Sequence, residues 1–98
     1  MTIPIHRDTD SRVCGAKTTV TNQSSVYVND LLVAVDGDPN THGGGELIAA
    51  SKNLYVEGKL VVNHTPDNAK PDDLCPPLGG EHCNPKTAEG SSDVFVGD

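Results

Sequence analysis

The chain has 98 residues, of which 35% are hydrophobic, with one Phe, two Tyr and no Trp. That leaves room for one domain with a thin core, and a domain this small commonly needs a metal, a disulfide or a partner as a staple. The formal net charge of -7, without any basic patch, speaks against a nucleic-acid partner, because nothing is present to neutralise phosphates.

Taken from its start, the chain opens with Ile3-Pro4-Ile5, a short strand that Pro4 restricts to a sheet edge. Met1 to Asp10 contains no basic segment followed by an apolar one, so no secretory signal is expected. No segment approaches the length of a membrane span. His6 stands apart from any pattern and is expected at the surface. The three Cys are an odd number, and with no signal peptide expected they point to metal binding more than to a disulfide framework.

From Cys14 onward one phrase recurs with variations. It reads Cys14-Gly15 before Val26-Tyr27-Val28, His42-Gly43 before Leu54-Tyr55-Val56, and His82-Cys83 before Val94-Phe95-Val96. The offset from Cys14 to Tyr27 is the same as from His42 to Tyr55 and from His82 to Phe95, and these three aromatics are all that the chain has. The aromatics sit in triplets rich in β-branched residues, which suit short strands. Val20, Ile48 and Ala88 precede them at a second common offset and suggest another strand in each unit. Asn29-Asp30 and Glu57-Gly58 read as hairpin turns, pairing Val26–Val28 with Leu32–Val35 and Leu54–Val56 with Leu60–Val62. Asp36-Gly37 is a further tight turn.

The units are not evenly spaced. The step from Tyr55 to Phe95 is longer than the step from Tyr27 to Tyr55, so the third unit carries an insertion. The insertion lies within residues 63–81, rich in Pro, Asp and Gly, and reads as an irregular loop. The third aromatic strand lacks a return strand, which Ile3-Pro4-Ile5 can supply from the other end, removing two exposed edges. Helical periodicity is absent throughout. The expected fold is therefore all-β: three repeats, none able to bury a core alone, packed about one axis.

Such packing would bring Cys14, His42 and His82 to one point, the beginning of a tetrahedral zinc site. A fourth ligand is expected from the insertion, with Cys75 first in order and His64 second; Cys83 is too close to His82 in sequence for both to face one ion. His42-Gly43-Gly44-Gly45 is similar to an oxyanion-hole segment of some esterases, but the chain has no Gly-x-Ser-x-Gly nucleophile elbow. Asp36, Asp38, Asp72 and Asp73 are expected to face water, since no spacing marks them as a catalytic pair.

Together, Cys14-Gly15-Ala16, Val26-Tyr27-Val28-Asn29, residues 37–44, Leu54-Tyr55-Val56-Glu57-Gly58-Lys59 and Cys75-Pro76-Pro77 resemble the PAAR-repeat family over nearly the whole chain. Its members are the conical tips of contractile-tail phage spikes and of type VI secretion spikes, and in length this chain is similar to the T-even-type phage members. The Pro-Ala-Ala-Arg signature is replaced here by Leu32-Val33-Ala34-Val35 and Leu60-Val61-Val62-Asn63. The resemblance implies a small cone with pseudo-threefold symmetry, seated on a trimeric β-helical spike protein. It implies a zinc site near the apex, typically of three His and one Cys, with iron as the alternative metal. Cys14, His42 and His82 match that site; Cys75, His64 and Asp73 all remain open for the fourth place.

The implied role is structural and non-enzymatic: to cap the spike in the virion, at the tip of the tail baseplate, and to sharpen it for penetrating the host outer membrane. Assembly would take place in the host cytoplasm, with no small-molecule substrate. A free-standing metal-binding adaptor and a small metal-dependent enzyme are the rival readings. The apolar residues of Leu31 to Val35 and Leu60 to Val62 exceed what a small core absorbs, so some of them are expected at the docking face.

Overall fold

In the computed structural model, which describes residues 2–49, 54–64 and 68–97, every strand is short. The strands are β1 (Thr2–Pro4), β2 (Tyr27–Val28), β3 (Leu31–Leu32), β4 (Leu47–Ile48), β5 (Tyr55–Val56), β6 (Lys59–Leu60), β7 (Asn68–Ala69) and β8 (Phe95–Gly97). Among the described residues, helix is confined to one turn of α-helix, α1 (Cys75–Leu78), and a 3-10 turn over Gly80–Cys83. Both fall in the expected insertion or at its end. The chain is thus a small, mostly β structure of short antiparallel hairpins, as the sequence implies.

Each expected hairpin forms next to its turn, with return strands shorter than expected: Val33, Val35 and Val61 bridge to other segments instead. β2 pairs with β3 with Tyr27 opposite Leu32, and β5 pairs with β6 with Tyr55 opposite Leu60. Their two-residue turns hold Asn29 and Asp30 at φ 54° and 67°, and Glu57 and Gly58 at φ 52° and 82°. Both central residues are therefore left-handed, the turn type whose twist matches the flanking strands. β1 pairs antiparallel with β8, placing Pro4 opposite Phe95, so the two ends of the chain build a third hairpin of matching register. Of Val20, Ile48 and Ala88, only Ile48 lies in a strand, β4, whose partner is β7.

Behind the hairpins, three segments evenly spaced in the sequence close a ring. The N–H of Ala34 donates to the carbonyl of His6, that of His6 to Val62, and that of Val62 to Ala34, at 3.0, 3.0 and 2.9 Å. Flanking bridges join Ile5 to Asn63, Arg7 to Val33 and Val35 to Val61 in the same cyclic sense. Because successive side chains point to opposite faces of an extended segment, the segments of Ala34 and Val62 feed two cores, while that of His6 feeds one through Ile5. Ile5, Val33, Val35, Val56 and Val61 pack together on one side, and Val20, Ala34, Leu47, Val62 and Ala69 on the other. Each fully buried Val contributes roughly 1.5–3 kcal/mol, so this double core is thin, as expected.

Three expectations fail in whole or in part at this level. His6 is fully buried, because it occupies the place in the ring that Ala34 and Val62 occupy in the other segments. Of the apolar residues from which a docking face is expected, Val33, Ala34, Val35, Val61 and Val62 are buried, whereas Leu31, Leu32 and Leu60 are half-buried. The exposed large apolar residues among those described are Val26, Tyr27, Leu54, Tyr55, Val94 and Phe95 around the aromatic strands, together with Ile48 in β4 and Leu78 in α1. Asp38 and Asp72 are buried rather than water-facing. The Asp38 carboxylate accepts from the N–H groups of Thr21, Asn22 and Val35 and from the Asn22 amide, tying a loop to the turn at Gly37.

Candidate metal centre

Two loops of the same construction carry Cys14 and His42. In the first, the Arg12 N–H donates to the Ala16 carbonyl and the Gly15 N–H to the Arg12 carbonyl. In the second, Asn40 donates to Gly44 and Gly43 to Asn40. Cys14 and His42 each stand just ahead of a glycine with φ near 90°, a conformation that a side-chain-bearing residue adopts only at a cost of about 1–2 kcal/mol. The common offset in the sequence is the signature of this shared loop.

The third loop starts the same way and is longer. The Cys75 N–H donates to the Asp72 carbonyl, while the Asp72 N–H reaches across to the carbonyl of His82 at 2.9 Å. Asp72 therefore takes the position of Arg12 and Asn40, and His82 arrives from the far end of the loop. The four side chains Cys14, His42, Asp72 and His82 meet with their ligand atoms all within 4.8 Å of one another. Three of the four residues expected at the site are brought together. Sequence reasoning misses Asp72, although Pro71-Asp72 echoes Pro39-Asn40 at the head of the preceding loop.

Asp72 Oδ2 lies 3.3 Å from Nδ1 of His42, 3.3 Å from Nδ1 of His82 and 3.5 Å from the Cys14 sulfur. The Cys14 sulfur is 3.8 Å from His42 Nδ1. Zinc–ligand bonds of about 2.0–2.1 Å to N or O and 2.3 Å to S give tetrahedron edges of roughly 3.3 Å for N–O pairs and 3.6 Å for S–N pairs. The four pairs just given lie close to those edges, within a set spanning no more than 4.8 Å, and the mix of thiol, imidazole and carboxylate suits zinc chemistry. Such a cluster can hold a metal ion.

Outer contacts hold the donors in place, as metal ligands require. Asn40 Nδ2 donates to Asp72 Oδ2 at 3.1 Å, the Leu74 N–H donates to Oδ1, and the Asn40 side-chain oxygen accepts from the His42 N–H. Burial of Asp72 works to raise its pKa, but the donors from Leu74, Asn40, His82 and His42 outweigh it and hold the carboxyl well below its usual range. The Cys14 thiol is pushed up, first by burial and further by the Asp72 carboxylate. A bound cation reverses that direction and favours the thiolate.

No family model, characterised protein or solved structure matches this chain. The site therefore rests on its own geometry.

Cys75 is not at the site. Its sulfur is bonded to that of Cys83, the two Cα atoms being 4.8 Å apart, and a disulfide sulfur has no thiolate to offer a metal. The expectation that a disulfide is disfavoured is corrected with it. His64 hydrogen-bonds through Nδ1 to the Thr87 hydroxyl, and Asp73 is exposed beside Gly43 and Gly44. Neither joins the four.

Beneath the loops the interior is polar. The buried Arg12 guanidinium donates to the carbonyls of Gly45, Pro85 and Asp38, and its Nε to the Thr18 hydroxyl. That hydroxyl thereby keeps its own hydrogen for His6 Nε2, 2.6 Å away, while His6 Nδ1 donates to the Glu89 carbonyl. His6 is thus a neutral Nδ1–H tautomer. Burial, with the nearby Arg12 charge, lowers its pKa to about 3.

Proposed function

We propose that the chain is a non-enzymatic, metal-stapled spike tip: a small cone of three repeats that caps a trimeric β-helical protein and sharpens it for penetrating a cell envelope. The observation that carries this reading is the exposure of Tyr27, Tyr55 and Phe95, at 58%, 58% and 47%, at the same position of three hairpins of matching register. Each stands beside another exposed apolar residue, Val26, Leu54 or Val94. Solvent-facing aromatics repeated in this way suit a partner surface. Three near-equivalent patches suit a partner with true threefold symmetry.

Further support comes from the cyclic hydrogen bonds of His6, Ala34 and Val62, an arrangement that suits repeats packed about a common axis. The resemblance to PAAR-repeat tips supplies the identity of the partner class and the location on a phage spike. Zinc is the metal that the four donors suit best, with iron the alternative. When bound it would neutralise the Asp72 and Cys14 charges and cross-link the three loops; Cys14, His42, Asp72 and His82 would hold it. Four protein donors make a closed, structural site rather than an open, catalytic one, which separates this reading from a metal-dependent enzyme.

The test is capture by a trimeric β-helical spike protein. Single Tyr27→Glu, Tyr55→Glu and Phe95→Glu substitutions should each weaken the complex, and the triple substitution should abolish it, with metal content unchanged. Undiminished capture of a folded triple variant would remove the docking face, and the cap reading with it.

A further inference from the structure

The loop from Asp72 to His82 departs from its two counterparts in a way that bears on metal retention. The first two loops close over single short turns, Arg12 to Ala16 and Asn40 to Gly44. The third closes between Asp72 and His82, with α1 and the first half of the 3-10 turn between them, yet it supplies two of the four donors. A long loop has many more conformations to lose when its ends are brought together. The Cys75–Cys83 bond acts at this point: Cys75 closely follows Asp72 and Cys83 is next to His82. The other ties across the loop include single backbone hydrogen bonds, from Asp72 to His82, His82 to Gly79 and Gly79 to Cys75.

We infer that the Cys75–Cys83 disulfide is a redox-sensitive latch on the metal site: the oxidised loop keeps Asp72 and His82 together around the ion, and reduction speeds the ion's release. Cys83 is exposed and Cys75 half-buried, so the bond is open to a dithiol. A thiolate of the dithiol attacks the Cys83 sulfur and breaks the S–S bond, and the departing Cys75 thiolate takes up a proton. The second thiol of the reductant then displaces Cys83 as a thiol. The dithiol leaves as a disulfide, having given two electrons to the protein. No ligand of the four is itself oxidised or reduced. What changes is how firmly two of them are held.

This inference rests on the metal reading of the site, and the experiment separates the two. Protein loaded with zinc is prepared oxidised, and again after reduction with a dithiol that is then removed by gel filtration under argon. Zinc transfer to a chelating dye is timed for both, and for Cys75→Ser/Cys83→Ser. Release should be roughly 10- to 100-fold faster from reduced protein, the usual effect of losing a group that orients a ligand. It should slow again on reoxidation. The double variant should release zinc fast whether or not it has met reductant, with circular dichroism reporting its fold. Equal rates from oxidised and reduced wild type overturn the latch and leave the metal site standing. Slower release after reduction also overturns it, because a freed thiol would then have joined the ion. Oxidised protein that takes up no zinc overturns the metal reading, and the latch falls with it.

Discussion

Asp72 Oδ2 lies 3.3 Å from Nδ1 of His82, although the two residues belong to opposite ends of one loop. The same oxygen also meets His42, Cys14 and Asn40, so it is the group through which all three loops touch.

The first prediction follows from that position. Asp72→Ala should lower zinc affinity by at least roughly 100-fold, beyond the range seen when a merely supporting group is lost. Asn40→Ala, which removes a donor to Asp72 but no ligand, should fall within about 10- to 100-fold. His64→Ala and Asp73→Ala should leave affinity unchanged. Competition against a chelating dye measures all four. Equal losses from Asp72→Ala and Asp73→Ala would reassign the fourth ligand.

The second prediction concerns pH. His6 has its pKa lowered to about 3 in the folded chain, by burial first and with Arg12 adding to it, against an ordinary value of 6.5. The folded state thus prefers the neutral ring, while the unfolded chain gains a proton as pH falls through 6.5. The stability that His6 contributes is therefore complete above that pH and is lost progressively toward pH 3. The slope approaches about 1.4 kcal/mol per pH unit for one proton. Denaturant unfolding of metal-free protein between about pH 7 and 4 should show this slope, and His6→Leu should be shallower by one proton. In the wild type, the His6 ring signals in NMR should hold steady from about pH 7 to 4.5. A His6 midpoint near 6.5 in the folded protein would contradict the buried, neutral assignment.

Much of this was legible in the sequence, and the parts that were not have physical reasons. The hairpins could be read because β-branched and aromatic residues flank Asn29-Asp30 and Glu57-Gly58, pairs that tolerate or favour positive φ. The closure of β1 on β8 could be read because a strand without a partner implies one. His6 is hidden when the repeat is counted from the aromatics. Counted from the return strands, it precedes Ala34 by the same interval at which Ala34 precedes Val62, and so belongs to the interior. Asp72 is obscured by the length of its loop, which breaks the common offset. A loop carboxylate also faces water unless some charge or donor set holds it inside. The Cys75–Cys83 pairing cannot be read while Cys75 is assigned to the metal, since either role uses the same sulfur.

The last prediction concerns what keeps the hairpins aligned as a platform. Asn29, in the first hairpin turn, accepts from the Ser91 hydroxyl at 2.6 Å and from Arg7 Nη1 at 3.0 Å, and donates to the Asp93 carboxylate at 3.2 Å. It therefore ties the first hairpin to the strand bearing Phe95. Glu57, at the matching place in the second turn, accepts from the Ser24 N–H and the Ser25 hydroxyl just before Tyr27. Asn29 also sits at φ 54°, which Asn tolerates and Ala does not. Two substitutions divide these roles. Asn29→Gly keeps the backbone conformation and removes only the side-chain ties, so it should cost about 1 kcal/mol, chiefly the loss of the one partly buried hydrogen bond from Ser91, those with Arg7 and Asp93 being exposed. Asn29→Ala should cost about 1 kcal/mol more, for the strained turn. Thermal melts give that ranking. Both variants should keep their zinc, because the ties lie away from the four donors, and both should dock more weakly because the aromatic patches no longer hold a fixed spacing. If Asn29→Gly docks as tightly as the wild type while melting lower, alignment of the hairpins is a matter of stability alone, and the rigid platform is not part of docking.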